Sequence, residues 1–574
     1  MILRLAASAA IIAMLATAPA LAAASANDIP AGISLSGAYL AGRSAAKDRD
    51  SGLATDYLSR ALADDPENPL LVEKVFSLML AEGQIAEGEK LAEKVLTFNT
   101  QHRMAHIVLG LRDFKAGKHD SARRHFQASG YTPLGELTAT LLKAWSYAAE
   151  NDLNLALKAL DKLDANDSFT NFKLLHAALI ADFLKNDIRA GASFKAASEA
   201  APSSLRIAQA YGNFLERHGR ADDARKIYEA FNDSRDPNPL IAEALAASRR
   251  GVAPPPFIAS ARDGAGEALF SLASAMTDDQ SVEIGLMYAQ MALKLNDDAP
   301  VVTTLIGDLY ESMEQEERAI AAYDEVPPAS ALRGNSDIEI ASNLHKLDRS
   351  PEAVDRLAAL IVREPGNYSA IVTLGNIYRN NEDYKQASAT YEKAITLLAQ
   401  PAKEHWRVFY FAGISNERLK QWPSAEKYFR RALELSPDEA SVLNYLGYSM
   451  IDMGVNMPEA IEMVKKAVEA KPNDGYIVDS LGWAYFKMRN YEESLIHLER
   501  AVELLPADPI IGEHLGDVYW RSGRTLEAKF QWQHAKDNKP EPEDLKRIED
   551  KISNGLPEET PVTPAQNGGS GTNG

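Results

Sequence analysis

Residues 479–506 read DSLGWAYFKMRNYEESLIHLERAVELLP, and residues 513–540 read EHLGDVYWRSGRTLEAKFQWQHAKDNKP. Aligned, the two stretches coincide at a step of 34 residues: Leu481 with Leu515, Gly482 with Gly516, Tyr485 with Tyr519, Ala501 with Ala535 and Pro506 with Pro540. Within each copy the apolar residues recur at three and four, as in Leu495, Leu498 and Val502, which is one stripe of an α-helix. A short polar turn, MRN in the first copy and RSGR in the second, divides each unit into two helices. Gly482 on the first helix and Ser494 on the second fall where the two axes cross. Only small side chains there allow the usual separation of about 8–10 Å. Leu481, Tyr485 and Leu498 fill the space beside the crossing, Ala501 receives the next unit, and Pro506, which lacks an amide donor, ends the second helix.

The period runs far beyond these two copies. Leu446-Gly447 with Ala460, Ala467 and Pro472 makes a unit, and Ala412-Gly413 with Ala425, Phe429, Ala432 and Pro437 another. Leu374-Gly375 with Tyr378, Ala387, Tyr391 and Ala394, and Ile306-Gly307 with Tyr310, Ala319 and Tyr323, keep the same rule. Weaker units start near 266 and 334, giving about eight in the C-terminal half. In the N-terminal half Gly110 and Gly212 are 102 residues apart, three whole periods, and units fitted at starts near 35, 69, 103, 137, 171 and 205 give about six more.

These residues resemble the tetratricopeptide repeat, a helix-turn-helix unit with Leu-Gly and Tyr on its first helix and Ala, an aromatic, Ala and Pro on and after its second. The resemblance implies an all-α, right-handed solenoid of about 14 repeats in two segments, with a concave face built from first helices. We assign residues 1–24 to a signal peptide, 25–238 to a degenerate N-terminal array, 239–265 to a Pro-rich linker or kink, 266–542 to a C-terminal array, and 543–574 to an acidic, Gly-rich, mostly disordered tail.

Composition narrows the function classes. Hydrophobic residues make up 46% and charged residues 25% of 574, ordinary for a chain that folds. With 61 basic against 81 acidic residues the formal charge is −20, and no Lys/Arg cluster interrupts the acidic background, so nucleic acid is not expected as a partner. The opening MILRLAASAAIIAMLATAPALAAAS has one basic residue, Arg4, then an apolar run and the small-residue site Ala20-Leu21-Ala22, which reads as a secretory signal cut after Ala22 or Ala24. No other stretch is long and uncharged enough to span a bilayer. Cysteine is absent, so neither a disulfide, a thiolate metal site nor a lipid anchor on a mature N-terminal Cys is expected. The expected compartment is a bacterial periplasm.

A search for catalytic chemistry returns little. GYSMI at 447–451 lacks the second glycine of a nucleophile elbow and falls within a helix, which makes Ser449 an ordinary helix residue. AGKHD at 116–120 has the wrong spacing from Gly110 for a phosphate loop, and Gly117 falls in a repeat turn. His102 and His106 are four apart but lack a third ligand nearby. No enzyme activity, cofactor or metal is expected.

Binding is. The resemblance places particular first-helix positions on the concave surface, and carried onto this chain these are Tyr410, Glu417 and Arg418; Asn444, Tyr448 and Asp452; Tyr476, Asp479, Trp483, Phe486 and Lys487; then Glu513, Asp517, Trp520 and Arg521. Rings alternating with polar groups suit a peptide or partner helix. The structural set of the repeats is Gly375, Gly413, Gly447, Gly482, Gly516, Ala501, Ala535, Pro506 and Pro540. The run LNYLGYS, DSLGWAYF, EHLGDVYW and KFQW, with a Pro-rich break before GEALFSLASAM, is similar to large exported bacterial repeat proteins. Some of those are adaptors of carboxy-terminal processing proteases. The expected function is a non-catalytic periplasmic scaffold binding envelope proteins or peptides, with a protease adaptor or a component of an envelope polysaccharide or secretion assembly as alternatives.

Overall fold

The backbone pairing at Gly482 sets the pattern of the whole structure. Ser494 Oγ donates to the Gly482 carbonyl at 2.8 Å, and a Cβ on Gly482 would lie 2.6 Å from Leu498 Cγ, so helices Gly475–Lys487 and Tyr491–Leu504 touch where the glycine leaves a notch. The same notch recurs with larger occupants: Tyr391 fits over Gly375, Phe429 over Gly413 and Trp532 over Gly516. Asp474 starts the first helix by accepting from the amides of Tyr476 and Ile477, and Asn490 starts the second by accepting from Glu493. Between them the chain turns through a left-handed residue, Arg489 at φ 63°; the next unit uses Gly523 at φ 78°, and Gly117 takes φ 72° in its own turn.

The computed structural model describes residues 33–558, except 49, 234–237 and 297. The leader assigned to residues 1–24 and the tail beyond 558 lie outside the described residues. Among the described residues the regular elements are thirty α-helices and short 3-10 segments, with no strand. They form two compact units, one ending at Pro365 and the other beginning at Gly366.

In the unit ending at Pro365, first helices begin at Leu35, Pro69, Arg103, Pro133, Thr170 and Leu205, each followed by an antiparallel partner. The stretch read as a linker holds helix Pro239–Arg249 and the start of helix Ala261–Ala273. Past Pro254–Pro256 the chain folds back onto the array it has just left. Helix Ala261–Ala273 packs on Pro133–Ala149 and Thr170–Phe183, and helix Val282–Leu295 packs on Pro69–Ala81. Gly264 makes this approach possible, because a Cβ there would lie 2.3 Å from the ring of Trp145, which itself donates to His176 Nδ1 at 3.1 Å. Arg206 pairs with Glu267 and stacks over Phe257 and Phe270. Thr138 and Tyr288 share a hydrogen bond of 3.1 Å, and Arg318 Nη1 donates to Glu82 at 2.7 Å. The Pro-rich break is therefore a reversal held in a shared core.

The unit beginning at Gly366 continues as helix pairs from Tyr368–Asn380 to Thr525–Asp537, closed by one more helix, Pro542–Asn554. Residues 543–554, assigned above to the tail, thus belong to the folded array. Pro542 occupies the first turn of that helix, where a missing amide costs nothing, and Ile548 is fully buried against Trp532 and Ala535. Its acidic composition conceals one apolar stripe.

Candidate functional site

Consecutive first helices in the second unit touch one another: Ala440–Met453 packs on Gly475–Lys487, which packs on Pro509–Arg521. This contact decides which wall residues stay open. Of the fifteen partner-binding residues assigned from sequence, eight are buried: Tyr410, Glu417, Asn444, Tyr448, Asp479, Trp483, Glu513 and Asp517. Tyr410 is enclosed by Trp406, Phe411, Phe429 and Tyr445, with centroid distances of 5.4–6.1 Å. Trp483 lies flat between Phe486, at 4.7 Å, and His514, at 3.9 Å, so it ties two repeats together and presents only its edge. Glu417, buried too, accepts from the Tyr445 hydroxyl at 3.2 Å.

Beneath Trp483 runs a ladder of charge. His514 Nδ1 meets Asp479 Oδ1 at 2.9 Å; Glu513 accepts from Arg547 Nε and Lys551 Nζ, each at 2.6 Å; and Asp517 accepts from Lys551 at 2.6 Å and from the Trp532 indole at 3.0 Å. Burial opposes charge on His514, yet Asp479, with Glu513 and Asp517 behind it, lifts the imidazole above its ordinary value. Burial likewise works against ionised Glu513, but two cations outweigh it and hold that carboxyl low. Asp517 shares only Lys551, and there burial wins and raises it. One lysine between two acids serves the one with the second cation better.

The residues that remain accessible form a line along the same wall. Arg418 lies over the Tyr384 ring at 5.5 Å, Lys487 reaches Asp452 at 3.5 Å and the Trp483 ring at 5.3 Å, and Phe486, stacked on Trp483 and next to Tyr491 at 5.6 Å, is half-buried. Tyr476 borders an open cleft of about 550 Å³ lined by Lys471, Asn473, Asp474 and Leu505. At the far end Trp520 is part-covered by Trp532 and Gly555, and Arg521 donates to the Pro557 carbonyl at 2.8 Å. Rings and charges thus alternate, in a narrower set than the sequence implied: Arg418, Asp452, Tyr476, Phe486, Lys487, Trp520 and Arg521. Among the structural set, Ala501 and Ala535 are fully buried, Gly447 faces the Ala460 carbonyl, and Pro506 and Pro540 lie just past the ends of their second helices.

Sequence reasoning passed over Arg547 and Lys551, although both stand one 34-residue period after Glu513 and Asp517. It passed over His514 and Tyr445 because neither belongs to the repeat pattern. His102 and His106 do not converge: His102 Nδ1 caps its helix by accepting from the Ala105 amide at 3.2 Å. Ser449 is buried within helix Ala440–Met453.

The sequence model of the family described as Tetratricopeptide repeat matches residues 372–440, 410–475 and 480–535. The TPR repeat-containing protein PA4667 of Pseudomonas aeruginosa is 26% identical over 184 residues, covering 32% of this chain and 30% of that protein. The BBSome complex member BBS4 of Bos taurus is 28% identical over 115 residues, 20% of this chain and 21% of that one. This chain therefore spans under a third of the length of either relative. Among solved structures, YrrB, a TPR protein with an unusual peptide-binding site, aligns at 22% identity over 38% of this chain and 92% of its own, with a TM-score of 0.24. Yeast Tom70 aligns at 15% identity over 79% and 95%, with a TM-score of 0.32.

Proposed function

Since the chain is a tetratricopeptide repeat protein, and such proteins generally mediate protein–protein interactions, we propose that it is a non-catalytic scaffold binding envelope proteins or peptides through the wall of the second unit. The observation that carries this reading is the contrast between the two sets of first helices. In the unit ending at Pro365, Trp145, Arg206 and Glu82 are already partnered by Gly264, Glu267 and Arg318 of the same chain. In the unit beginning at Gly366, Tyr476, Phe486, Lys487, Trp520 and Arg418 keep part of their surface open. An extended segment or amphipathic helix laid there gains ring area at low entropy cost and register from the flanking charges.

The site of action we propose is the periplasm. The leader-like opening and the absence of cysteine support that compartment, and among the described residues no helix is long and apolar enough to cross a membrane. A photo-crosslinking amino acid placed at Phe486, in cells exporting the full chain, is expected to capture discrete partners, and Lys487→Glu is expected to reduce the yield. The same probe at Ile496, on the second helix of that repeat, Tyr491–Leu504, and 57% exposed, serves as control. Equal adducts at both positions, or none at Phe486, refute the wall as the binding surface.

A further inference from the structure

The five first helices from Tyr368–Asn380 to Pro509–Arg521 bury one sign of charge and leave the other open. Of their acids, Glu417, Asp479, Glu513 and Asp517 are buried, and Asp452 alone is part-exposed. Their Lys and Arg side chains, Arg379, Arg407, Arg418, Lys487 and Arg521, all reach the surface. On a chain of formal charge −20, these helices therefore open five cations against one acid. The buried acids have partners of their own. Asp479 meets His514, Glu513 and Asp517 take Arg547 and Lys551 from the closing helix, and Glu417 accepts from Tyr445.

Four of the cations stand in one row. Arg418, Lys487 and Arg521 are each the last residue of their helix and Arg379 the last but one, with Asp452 in the same place on Ala440–Met453. The helix dipole favours a cation at such an end. It does not explain the row, because the intervening second helices Tyr384–Leu397, Trp422–Leu435, Met457–Ala470 and Tyr491–Leu504 have no basic residue in their last turns. Nor do ion pairs use the row up. Arg379 pairs with no carboxylate among the described residues; its guanidinium lies over Phe411 of the next first helix at 4.4 Å, and its Nε is 3.4 Å from the Tyr391 hydroxyl. Lys487 is 3.5 Å from Asp452 and Arg418 is 3.9 Å from Glu417, both longer than a charge-assisted hydrogen bond of about 2.7–2.9 Å. A guanidinium laid flat on a ring loses little freedom when a carboxylate docks on its edge.

Charge and spacing together describe the occupant. The second helices carry exposed acids such as Glu434, Glu462 and Glu503, so a long polyanion running off the row meets repulsion, whereas a short acidic segment stays within it. Packed helix axes lie about 8–10 Å apart, and an extended chain advances about 3.3 Å per residue. One residue in about three of such a chain therefore meets each successive first helix. On the reading that this wall is the binding surface, we propose that its occupant is an extended acidic segment of a partner protein, laid along Arg379, Arg418, Lys487 and Arg521. Its Asp or Glu residues recur at every third position and give way to a neutral residue opposite Asp452.

The test uses the full chain and three labelled peptides of one length, with Asp, Asn or Lys at every third position but the middle one, read by fluorescence anisotropy. The Asp peptide is expected to bind roughly tenfold or more tightly than the Asn peptide, the Lys peptide more weakly still, and the preference should shrink as salt rises. Arg379→Gln and Lys487→Gln are each expected to weaken the Asp peptide by about three- to tenfold. Lys465→Gln, on the second helix Met457–Ala470, removes the same charge and should leave the affinity unchanged. Circular dichroism reports whether the variants fold, and the ranking of the peptides on the wild-type chain stands apart from that. Equal affinity for the Asp and Asn peptides, or its full retention in both folded variants, overturns the proposal. Displacement of the Asp peptide by inorganic polyphosphate at equal charge overturns it too, by assigning the row to a polyanion. If a probe at Phe486 captures partners while the Asp and Asn peptides bind alike, this inference falls and the wall stands; if neither peptide preference nor capture is seen, both fall.

Discussion

Replacing Glu513 by alanine should release the last helix from the array. Glu513 is 0% exposed and takes charge-assisted hydrogen bonds from Arg547 and Lys551, whose side chains are 28% and 14% exposed. Breaking a buried ion pair from one side commonly costs about 3–5 kcal/mol. Here the stranded cations keep some company: Lys551 still has Asp517 at 2.6 Å, and Arg547 still has Asp544 at 2.8 Å. Water also reaches both, so the expected loss falls to about 2 kcal/mol. Since about 1.4 kcal/mol is tenfold in an equilibrium constant, amide exchange in the segment 542–554 should accelerate by about 30-fold, read by mass spectrometry on the full chain. Exchange in the unit ending at Pro365 should not change. The double variant Glu513→Ala/Arg547→Ala should lose less than the sum of the two singles, because it strands fewer charges. Exchange within about threefold of wild type in the single variant would show that the ladder contributes nothing to holding the helix, and the reasoning about buried carboxylates would fail with it.

Three further outcomes follow from the same geometry. The folded-state pKa of Glu513 lies below its ordinary 4.5, so its stabilising contribution is complete above that value and is lost as pH falls through the lower one; the 542–554 segment should therefore lose exchange protection on acidification below about pH 4, and stable protection to pH 2 would contradict the assignment. Gly516→Ala places a Cβ 2.3 Å from the Trp532 ring and should cost about 1–3 kcal/mol despite the better helix propensity of alanine; an unchanged melting temperature and tryptophan emission would refute the notch. Gly264→Ala meets Trp145 in the same way and should expose the 251–261 stretch to limited proteolysis, whereas an uncut chain of equal stability would show that the fold-back does not depend on that contact.

The repeat itself was legible because its constraints are local and periodic. A glycine under a ring, an alanine at the next crossing and a polar turn recur every 34 residues, so weak copies reinforce strong ones. The fold-back of the first unit has no such signature: Thr138 and Tyr288 are 150 residues apart, Glu82 and Arg318 are 236 apart, and neither separation is read from a period. The wall was half legible for a different reason. Whether Trp483 shows its face or its edge depends on how closely the following first helix packs, and the residue that covers it, His514, lies outside the repeat pattern. The helix beyond 542 was hidden by composition, since one buried isoleucine among acids and bases gives almost no apolar signal.

The Glu82–Arg318 pair reaches beyond its own strength. An open array gains and loses stability one unit at a time, so cutting repeats from an end removes only their share. Where the C-terminal end of helix Pro69–Ala81 is clasped at Glu82 by Arg318 of helix Glu316–Asp324, neither end of the unit can be trimmed without undoing the other. Loop closure must come before reward, which slows folding and makes the loss of structure all-or-none. Shortened versions of this chain should keep the second unit and forfeit the whole of the first.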